Sequence, residues 1–313
     1  MIAYRIILLL LAISIIYLFI KNGTLAIRFI SKFKFTRHVY YTIIFFLGML
    51  LAFPAAEKTA DTLGAVQFFY GALLINLLFA ASEVLNDIYD VNIDIINNKK
   101  NTLLGSDIQK NAGLKVFFGL FLFSLSFASL SGAAVFVTAL LIHALSYFYS
   151  APPLRLKAKF PANAFLIGFA SIAALFCGFT FVTGSGFLNK FPYYQSLILF
   201  AALTCAFTVK DINDYEGDKK NNIMTLPVLF GKEKGRKITA FAALFSYLFL
   251  PAALKAYFLL VPGAIFGSAT AVLIYFSEKK LNESLVFLFL FLFCLSCFAL
   301  CSFYGKGCIP GIY

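Results

Sequence analysis

Residues 64–94 read GAVQFFYGALLINLLFAASEVLNDIYDVNID, and this stretch decides the class of the fold. The part from 64 to 85 is mostly apolar, whereas 86–94 contains three aspartates. A helix that crosses a bilayer needs about 20 predominantly apolar residues. The stretch therefore predicts a transmembrane helix that ends, at one face of the membrane, in a cluster of acids.

The composition of the whole chain excludes a soluble protein. Of its 313 residues 61% are hydrophobic and only 13% are charged, against about 25% charged residues in an average soluble domain. Other apolar runs accompany the one at 64–85, and they lie near 6–20, 39–53, 114–129, 132–149, 162–183, 193–209, 238–254, 256–277 and 284–303. We therefore predict an all-α, polytopic membrane helical bundle. The first run is expected to stay uncleaved, because Lys21-Asn22-Gly23 follows it without a cleavage site of small residues.

The charges are distributed unequally between the loops. Most of the 26 Lys and Arg residues lie in loops that follow the odd-numbered runs, which the positive-inside rule assigns to the cytoplasm. The exceptions are Arg5, Lys58, Lys190, Lys255 and Lys306. All acids except Glu57 and Asp61 lie on the same predicted cytoplasmic side. The orientation of the chain in the membrane then explains the net charge of +12, and no nucleic-acid partner is needed. If the source is bacterial, we expect that membrane to be the cell (inner) membrane.

Three aspartates spaced i, i+3 and i+7 occur twice, each time at the end of an apolar run, and this spacing places them on one helical face. The two triads are Asp87, Asp90, Asp94 and Asp211, Asp214, Asp218. Like charges on one face repel each other, so a cation is expected to compensate them. Carboxylate oxygens suit Mg²⁺, which binds substrate phosphates through the rest of its shell. The triads predict Mg²⁺ ions that hold a diphosphate, in preference to two solvated turns.

A third segment, residues 149–157, reads YSAPPLRLK. Its two prolines are expected to end the fifth helix. Tyr149 and Ser150 would then face the cytoplasmic mouth of the bundle, with Arg155 and Lys157 just beyond it. An ordinary helix stop followed by anchoring charges is the alternative interpretation.

Taken together, the three segments resemble the motifs of the UbiA superfamily of intramembrane prenyltransferases. Asn86–Asp94 is similar to the NDxxDxxxD motif of that family, and residues 149–157 are similar to its YSxPPxRxK segment. Asp214 and Asp218 resemble its DxxxD motif, extended backward by Asp211. The match covers about residues 37–303. Since the family has nine spanning helices, residues 1–36 would form an extra N-terminal transmembrane helix with a basic linker, and 37–313 a prenyltransferase domain.

The resemblance implies an enzyme that transfers an isoprenoid group from an isoprenyl diphosphate to an aromatic or polar-lipid acceptor and releases diphosphate. It implies that Mg²⁺ is bound by Asp87, Asp90, Asp94, Asp214 and Asp218, with Asp211 as a further catalytic acid. The substrate-binding residues that it implies are Asn86, Tyr149, Ser150, Arg155, Lys157, Lys100 and Arg37.

Two of these substrate-binding candidates have an alternative reading. Family members carry an Arg-Pro pair after the first motif, and Asn101-Thr102 stands at that place here, so Lys100 would supply the missing cation. Arg37 is equally well explained as a positive charge that anchors the chain at the membrane surface. Lys210-Asp211 and Thr225-Leu226-Pro227 resemble the homogentisate, chlorophyll-synthase and archaeal glycerophospholipid branches more than the hydroxybenzoate branch. The sequence leaves the acceptor and the length of the prenyl chain open.

Two other functions compete with prenyl transfer. A membrane terpene cyclase of the same superfamily would use the same Mg²⁺ chemistry without an acceptor. An ion-coupled transporter would also carry acids inside the membrane, but those acids are expected near the midplane and not at one edge.

Two polar residues within the spans are expected to have structural roles. Asn76 is expected to form a hydrogen bond with a neighbouring helix. His143 is read as a packed neutral side chain in preference to an acceptor-site base. No obligate protein partner is indicated.

Overall fold

A computed structural model describes residues 34–56, 64–96, 110–186, 188–277 and 280–304, and all regular structure within these ranges is helical. The α-helices are α1 Phe35–Ala55, α2 Ala65–Ile96, α3 Lys110–Leu130, α4 Ala133–Ser150, α5 Ala162–Thr183, α6 Tyr193–Ala206, α7 Asp211–Lys220, α8 Leu226–Phe230, α9 Lys232–Ala253, α10 Leu260–Tyr275 and α11 Glu283–Tyr304. The predicted all-α class is confirmed.

Within the described ranges, 7 helical stretches are long and apolar enough to cross a membrane. They are Phe35–Phe53, Ala65–Val91, Gly113–Leu130, Ala133–Ser150, Ala162–Thr183, Tyr193–Lys220 and Tyr257–Tyr275. The predicted runs at 238–254 and 284–303 also form helices, α9 and α11, outside this set. Several charged residues in the first turns of α9 lower its hydropathy, and the apolar stretch of α11 is the shorter Glu283–Cys297. The chain is a multi-pass membrane protein; the predicted first span lies outside the described residues.

The first of two compact units contains the chain up to Leu154 and residues Ala173–Phe191. Its central element is α2, which packs against α1, α3 and α4. With 32 residues, α2 is about 48 Å long at 1.5 Å per residue, against about 30 Å for the hydrocarbon core of a bilayer. The helix therefore continues past its apolar part and carries the first acidic motif on its last turns.

Two glycines let α1 and the second half of α5 approach each other at backbone distance. A Cβ atom on Gly48 would overlap the carbonyl oxygen of Leu175, and one on Gly178 would overlap the carbonyl oxygen of Phe45. Small residues at such positions are typical of membrane helices, because association there depends on close packing more than on the hydrophobic effect. The two glycines form a reciprocal contact in the core of the first unit.

The second unit contains Arg155–Ile172 and the chain from Pro192 onward. Its central helix is α9, which packs against α6, α8 and α10. The stretch from α6 to α7 is not one regular helix, because Phe207–Lys210 winds as a tighter 3-10 segment between them. A buried cluster lies beneath this segment and α7, and it consists of Val209, Ile212, Ala240, Ala243, Ile274 and Leu281.

Candidate active site

The two aspartate triads are helical, as predicted, and they share one pattern of burial. In each triad the first and last carboxylates are buried and the middle one is half-buried. The exposed fractions are 1% for Asp87, 7% for Asp94, 5% for Asp211 and 6% for Asp218. Water screens buried like charges poorly, so each triad requires compensation by cations or hydrogen bonds. The two triads therefore match each other in burial as well as in spacing.

The first triad is compensated in part by the start of α1. Lys34 Nζ lies 2.8 Å from Asp87 Oδ1, and the Asp87 side chain is 0% accessible. One turn further along both helices, His38 Nε2 lies 3.2 Å from Glu83 Oε2. Lys34 and His38 are four residues apart on α1, and Glu83 and Asp87 are four residues apart on α2. The antiparallel helices therefore carry two polar pairs on facing turns.

Asn76 extends this polar seam into the membrane. Its Nδ2 donates to the Ala72 carbonyl oxygen at 2.7 Å and to Thr42 Oγ1 at 2.9 Å. A carbonyl oxygen only accepts, so the amide orientation is determined, and Asn76 Oδ1 must accept a hydrogen bond from His38 Nδ1 at 2.7 Å. The other ring nitrogen of His38, Nε2, makes the contact with Glu83. The predicted bond of Asn76 to a neighbouring helix is confirmed.

The third predicted segment contributes to both units. Ser150, the last residue of α4, donates to Asn86 Oδ1 at 3.3 Å. This contact brings the start of the segment beside the first acidic motif within the first unit. The helix ends here because the two prolines follow it, as the sequence predicted.

The basic half of the same segment belongs to the second unit. Arg155 adopts a left-handed backbone conformation with φ 38° and ψ 55°, directly before the 3-10 turn Leu156–Ala158. Lys157 in that turn is buried. The Ala158 carbonyl oxygen accepts a hydrogen bond of 2.9 Å from the Met224 amide, in the loop that follows α7. The turn with the two cations is thereby attached to the end of the second motif.

The second triad has polar neighbours of its own at Asp211. Lys210 Nζ lies 3.7 Å from Asp211 Oδ1, and Asn163 Nδ2 lies 3.4 Å from Asp211 Oδ2. Both contacts are long for hydrogen bonds. Asn163 stands at the start of α5 and is 2% exposed. This contact places the start of α5 beside the first carboxylate of the triad.

Asn213 holds the helix of the second motif in place. Its Oδ1 accepts from the Leu281 amide at 2.9 Å, and its Nδ2 donates to the Leu281 carbonyl oxygen at 3.0 Å. Nδ2 also donates to Glu283 Oε1 at 2.7 Å. One side chain thus binds both polar groups of a peptide unit, and the Leu281 side chain then fills the core beneath α7. Asn213 positions the carboxylates on either side of it.

Replacing Asn213 with leucine is expected to destabilise the protein and to lower its activity. The change leaves the Leu281 peptide groups without their partner, which costs about 1–3 kcal/mol for each buried group left unpaired. Thermal unfolding in detergent measures the loss. Asn282→Leu is the matched control, because that exposed amide accepts only a 3.3 Å hydrogen bond from Leu285. Equal melting temperatures for the two variants would contradict the positioning role.

The donor set fits a magnesium ion that keeps most of its waters. Within the part of the chain that the structure describes, no three His, Cys, Asp or Glu side chains gather as a ready-made metal cage. Mg²⁺ does not require such a cage, because it is usually bound through one or two carboxylates plus substrate phosphates. Asp87 and Asp94, buried on one face of α2, and Asp211 and Asp218, buried on α7, are carboxylates of this kind.

The other predicted residues have the following places. Asn86, Tyr149 and Arg37 are half-buried, Arg37 in the first turn of α1. Lys100 lies outside the described residues. His143 packs between α3 and α4, where its Nε2 donates to Ser124 Oγ at 2.8 Å, because that hydroxyl itself donates to the Phe121 carbonyl oxygen. This agrees with a packed neutral side chain.

Sequence reasoning missed four residues that hold the motifs. Lys34, His38, Asn163 and Asn213 were assigned no role there, yet each contacts a motif or its helix. A signal existed for the first two, because Lys34, His38 and Thr42 repeat every four residues on one helical face. Nothing in the local pattern indicates that Asn213 binds Leu281, which lies 68 residues further along the chain.

Comparisons with known proteins identify relatives of this chain. A digeranylgeranylglyceryl phosphate synthase of Saccharolobus solfataricus is 27% identical over 192 residues, which cover 61% of this chain and 66% of the relative. A chloroplastic chlorophyll synthase of Oryza sativa is 30% identical over 168 residues, 50% of this chain and 43% of the relative. The matches thus span less than two thirds of each relative's length. Both relatives fall in branches that the second motif resembled.

The fold has solved counterparts. A UbiA homolog from Archaeoglobus fulgidus, bound to DMAPP and Mg²⁺, superposes with a TM-score of 0.66 at 18% identity, covering 88% of this chain and 99% of that one. The profile of the UbiA prenyltransferase family matches residues 41–296, which include both aspartate triads and the segment between them. The chain therefore belongs to the UbiA prenyltransferase family.

Proposed function

We propose that this protein is a Mg²⁺-dependent intramembrane prenyltransferase that moves an isoprenoid group from an isoprenyl diphosphate to a polar-lipid or aromatic acceptor. The observation that carries the proposal is the pair of aspartate triads, which have the same spacing and the same pattern of burial. A solvated turn would have no reason to bury its carboxylates twice in this pattern.

The donor class is supported by the structural neighbours. Structures of the Archaeoglobus fulgidus homolog contain DMAPP or GPP together with Mg²⁺. Bound Mg²⁺ would neutralise charge on the diphosphate and make it a better leaving group. In this chain Asp87, Asp90, Asp94, Asp214 and Asp218 would hold the ions. The relatives that make digeranylgeranylglyceryl phosphate favour a polar-lipid acceptor over an aromatic one.

The chain's own residues have distinct tasks in this reaction. Arg155, Lys157 and Lys100 would donate charge-assisted hydrogen bonds to the phosphate oxygens. Tyr149 and Ser150 would orient the diphosphate, and Asn86 would be held in place by its contact with Ser150. The bond between C1 of the prenyl chain and oxygen breaks, and its electron pair leaves with the diphosphate. The acceptor attacks C1 and releases a proton.

The test is product analysis with the purified full chain in lipid nanodiscs. Geranylgeranyl diphosphate is supplied with Mg²⁺ and, in separate reactions, with no acceptor, with a glycerol phosphate that already carries one prenyl chain, and with an aromatic acceptor. We expect pyrophosphate release that requires both Mg²⁺ and an acceptor, and a product whose mass equals acceptor plus prenyl group. A parallel reaction with EDTA should yield none.

Other products would identify the competing functions. A cyclic hydrocarbon formed without an acceptor would show a terpene cyclase and overturn the transferase proposal. Solute uptake into liposomes that Asp87→Ala and Asp214→Ala abolish, while diphosphate turnover persists, would show a transporter.

Arg155 is expected to act on substrate binding. We expect Arg155→Gln to lower kcat/KM for the diphosphate about 10- to 100-fold, since a hydrogen bond to a charged group contributes about 1.5–3 kcal/mol. Arg155→Gly is the informative partner, because glycine suits the positive φ of this position. It should lose as much activity as Arg155→Gln while unfolding at a higher temperature. Activity that returned in Arg155→Gly would show that the backbone, and not the guanidinium, matters.

We also propose that the triads face the cytoplasm. The support is the excess of Lys and Arg in the loops on their side of the membrane. Single cysteines introduced at the exposed positions Glu216 and Tyr193 should react with an impermeant maleimide from opposite sides of sealed vesicles. Labelling of both from one side would contradict the orientation.

A further inference from the structure

In the contact of Lys34 with Asp87, a cation already occupies a position beside a buried carboxylate. Asp87 has a wholly inaccessible side chain, and the Lys34 ammonium, itself 18% accessible, lies 2.8 Å from its Oδ1. A buried carboxylate without a compensating cation is strongly unfavourable. The ammonium group therefore places a positive charge directly against this buried carboxylate.

A divalent ion and this ammonium group compete for the same carboxylate. Mg²⁺ binds oxygen at about 2.0–2.1 Å. With Lys34 Nζ at 2.8 Å from Oδ1, an ion bound there would lie within about 5 Å of a second positive charge, and two cations at that distance in a poorly screened site repel each other by several kcal/mol. Metal binding at Asp87 thus favours departure of the lysine.

The structure allows Lys34 to leave without disturbing the helices. Lys34 precedes α1, and its side chain is a flexible four-carbon stem. The next turn of α1 stays attached to α2 through His38, which contacts both Glu83 at 3.2 Å and Asn76 at 2.7 Å. Loss of the Lys34 contact would therefore free one side chain and leave the seam between the two helices intact.

We propose that Lys34 is the resident counter-cation of Asp87 in the metal-free protein and that a divalent metal ion displaces it when the site is loaded. This inference rests on the proposed function, because it takes the first triad as a metal site. It implies a trade between two properties of the protein. Lys34 stabilises the metal-free state and at the same time weakens the affinity of the first triad for metal.

The experiment measures metal binding without any substrate. Mn²⁺ is titrated into the detergent-solubilised full chain, and free Mn²⁺ is followed by electron paramagnetic resonance. We expect Lys34→Gln to bind Mn²⁺ about tenfold more tightly than the wild type, because one partly screened competing charge is gone. In EDTA the same variant should unfold at a lower temperature than the wild type. Mn²⁺ should raise the melting temperature of the variant by more than it raises that of the wild type.

Lys237→Gln is the matched control. Lys237 Nζ lies 2.9 Å from Glu233 Oε1, in an exposed pair on α9. The hydrogen bond from Lys237, with its charge, holds the pKa of Glu233 below its ordinary value, so this too is a formed ion pair. Because Glu233 belongs to neither triad, removal of its lysine should change neither the Mn²⁺ affinity nor the response of the melting temperature to Mn²⁺.

Two further variants keep the test decisive if Lys34→Gln fails to fold. Lys34→Met retains the length of the stem without its charge and should bind Mn²⁺ more tightly, whereas Lys34→Arg keeps the charge and should not. If the wild type binds Mn²⁺ but the uncharged variants bind it equally or more weakly, the inference is overturned and the proposed function stands. If the wild type binds no Mn²⁺ and releases no pyrophosphate, the proposed function itself fails.

Discussion

Asp87→Asn and Asp218→Asn, made singly, are each expected to lower kcat/KM for prenyl transfer by about 1,000-fold or more. Asparagine keeps the shape of the side chain but removes the negative charge that holds a divalent ion. Charge stabilisation by a metal ion contributes several kcal/mol to such a transition state, and each 1.36 kcal/mol corresponds to a factor of ten. The measurement is pyrophosphate release at saturating Mg²⁺ and acceptor, with the purified variants in nanodiscs.

Glu216→Gln is the matched control for this loss. Glu216 lies between Asp214 and Asp218 in sequence but is exposed and off the face that the triad shares. Removing its charge should change kcat/KM less than about twofold, because an exposed charge is largely screened. If Glu216→Gln loses as much activity as Asp218→Asn, general loss of negative charge on α7, and not the triad, would explain the effect.

The second large effect is expected in stability, at the glycine contact of α1 and α5. Gly178→Ala should destabilise the protein by about 3 kcal/mol or more, at the upper end of the range for overpacked cores. Its new methyl group would overlap the Phe45 carbonyl oxygen, so the helices must separate. The surrounding side chains of Phe45, Met49 and Phe179 are 0% exposed, so that separation opens a closed core. Thermal unfolding and size-exclusion profiles in detergent report the loss.

A third glycine provides the control for this prediction. Gly119 lies inside α3, and a Cβ atom there would meet nothing within 4 Å. Gly119→Ala should therefore be neutral or stabilise the protein by up to about 1 kcal/mol, through the better helix propensity of alanine. The double variant Gly48→Ala/Gly178→Ala should cost less than the sum of the single changes, because the first methyl group already separates the helices. Strict additivity would contradict the reciprocal contact.

The sequence was sufficient for the features that belong to one helix. Spacing of i, i+3 and i+7 puts Asp87, Asp90 and Asp94 on one face of any α-helix, wherever that helix lies. The prolines after Ser150 end α4 by their own covalent structure. Local geometry determines both features, so the amino-acid sequence of the helix is enough to predict them.

The sequence was less informative about features that join two helices. Gly48 and Ala52, with Ala174 and Gly178, show the small-residue spacing of close membrane packing. That spacing signals that each helix can approach another one. It does not say that Gly48 lies against Leu175, because a partner depends on the register and crossing of the two docked helices.

The sequence by itself determined the class of the protein, its acidic faces and its family resemblance, since these follow from composition, helical period and motif order. Only the tertiary structure decided which carboxylates are buried and what compensates them. Lys34 and Asp87 are 53 residues apart, and Asn213 and Leu281 are 68 apart. Contacts of this kind arise when apolar faces pack and polar groups must then find partners at fixed positions.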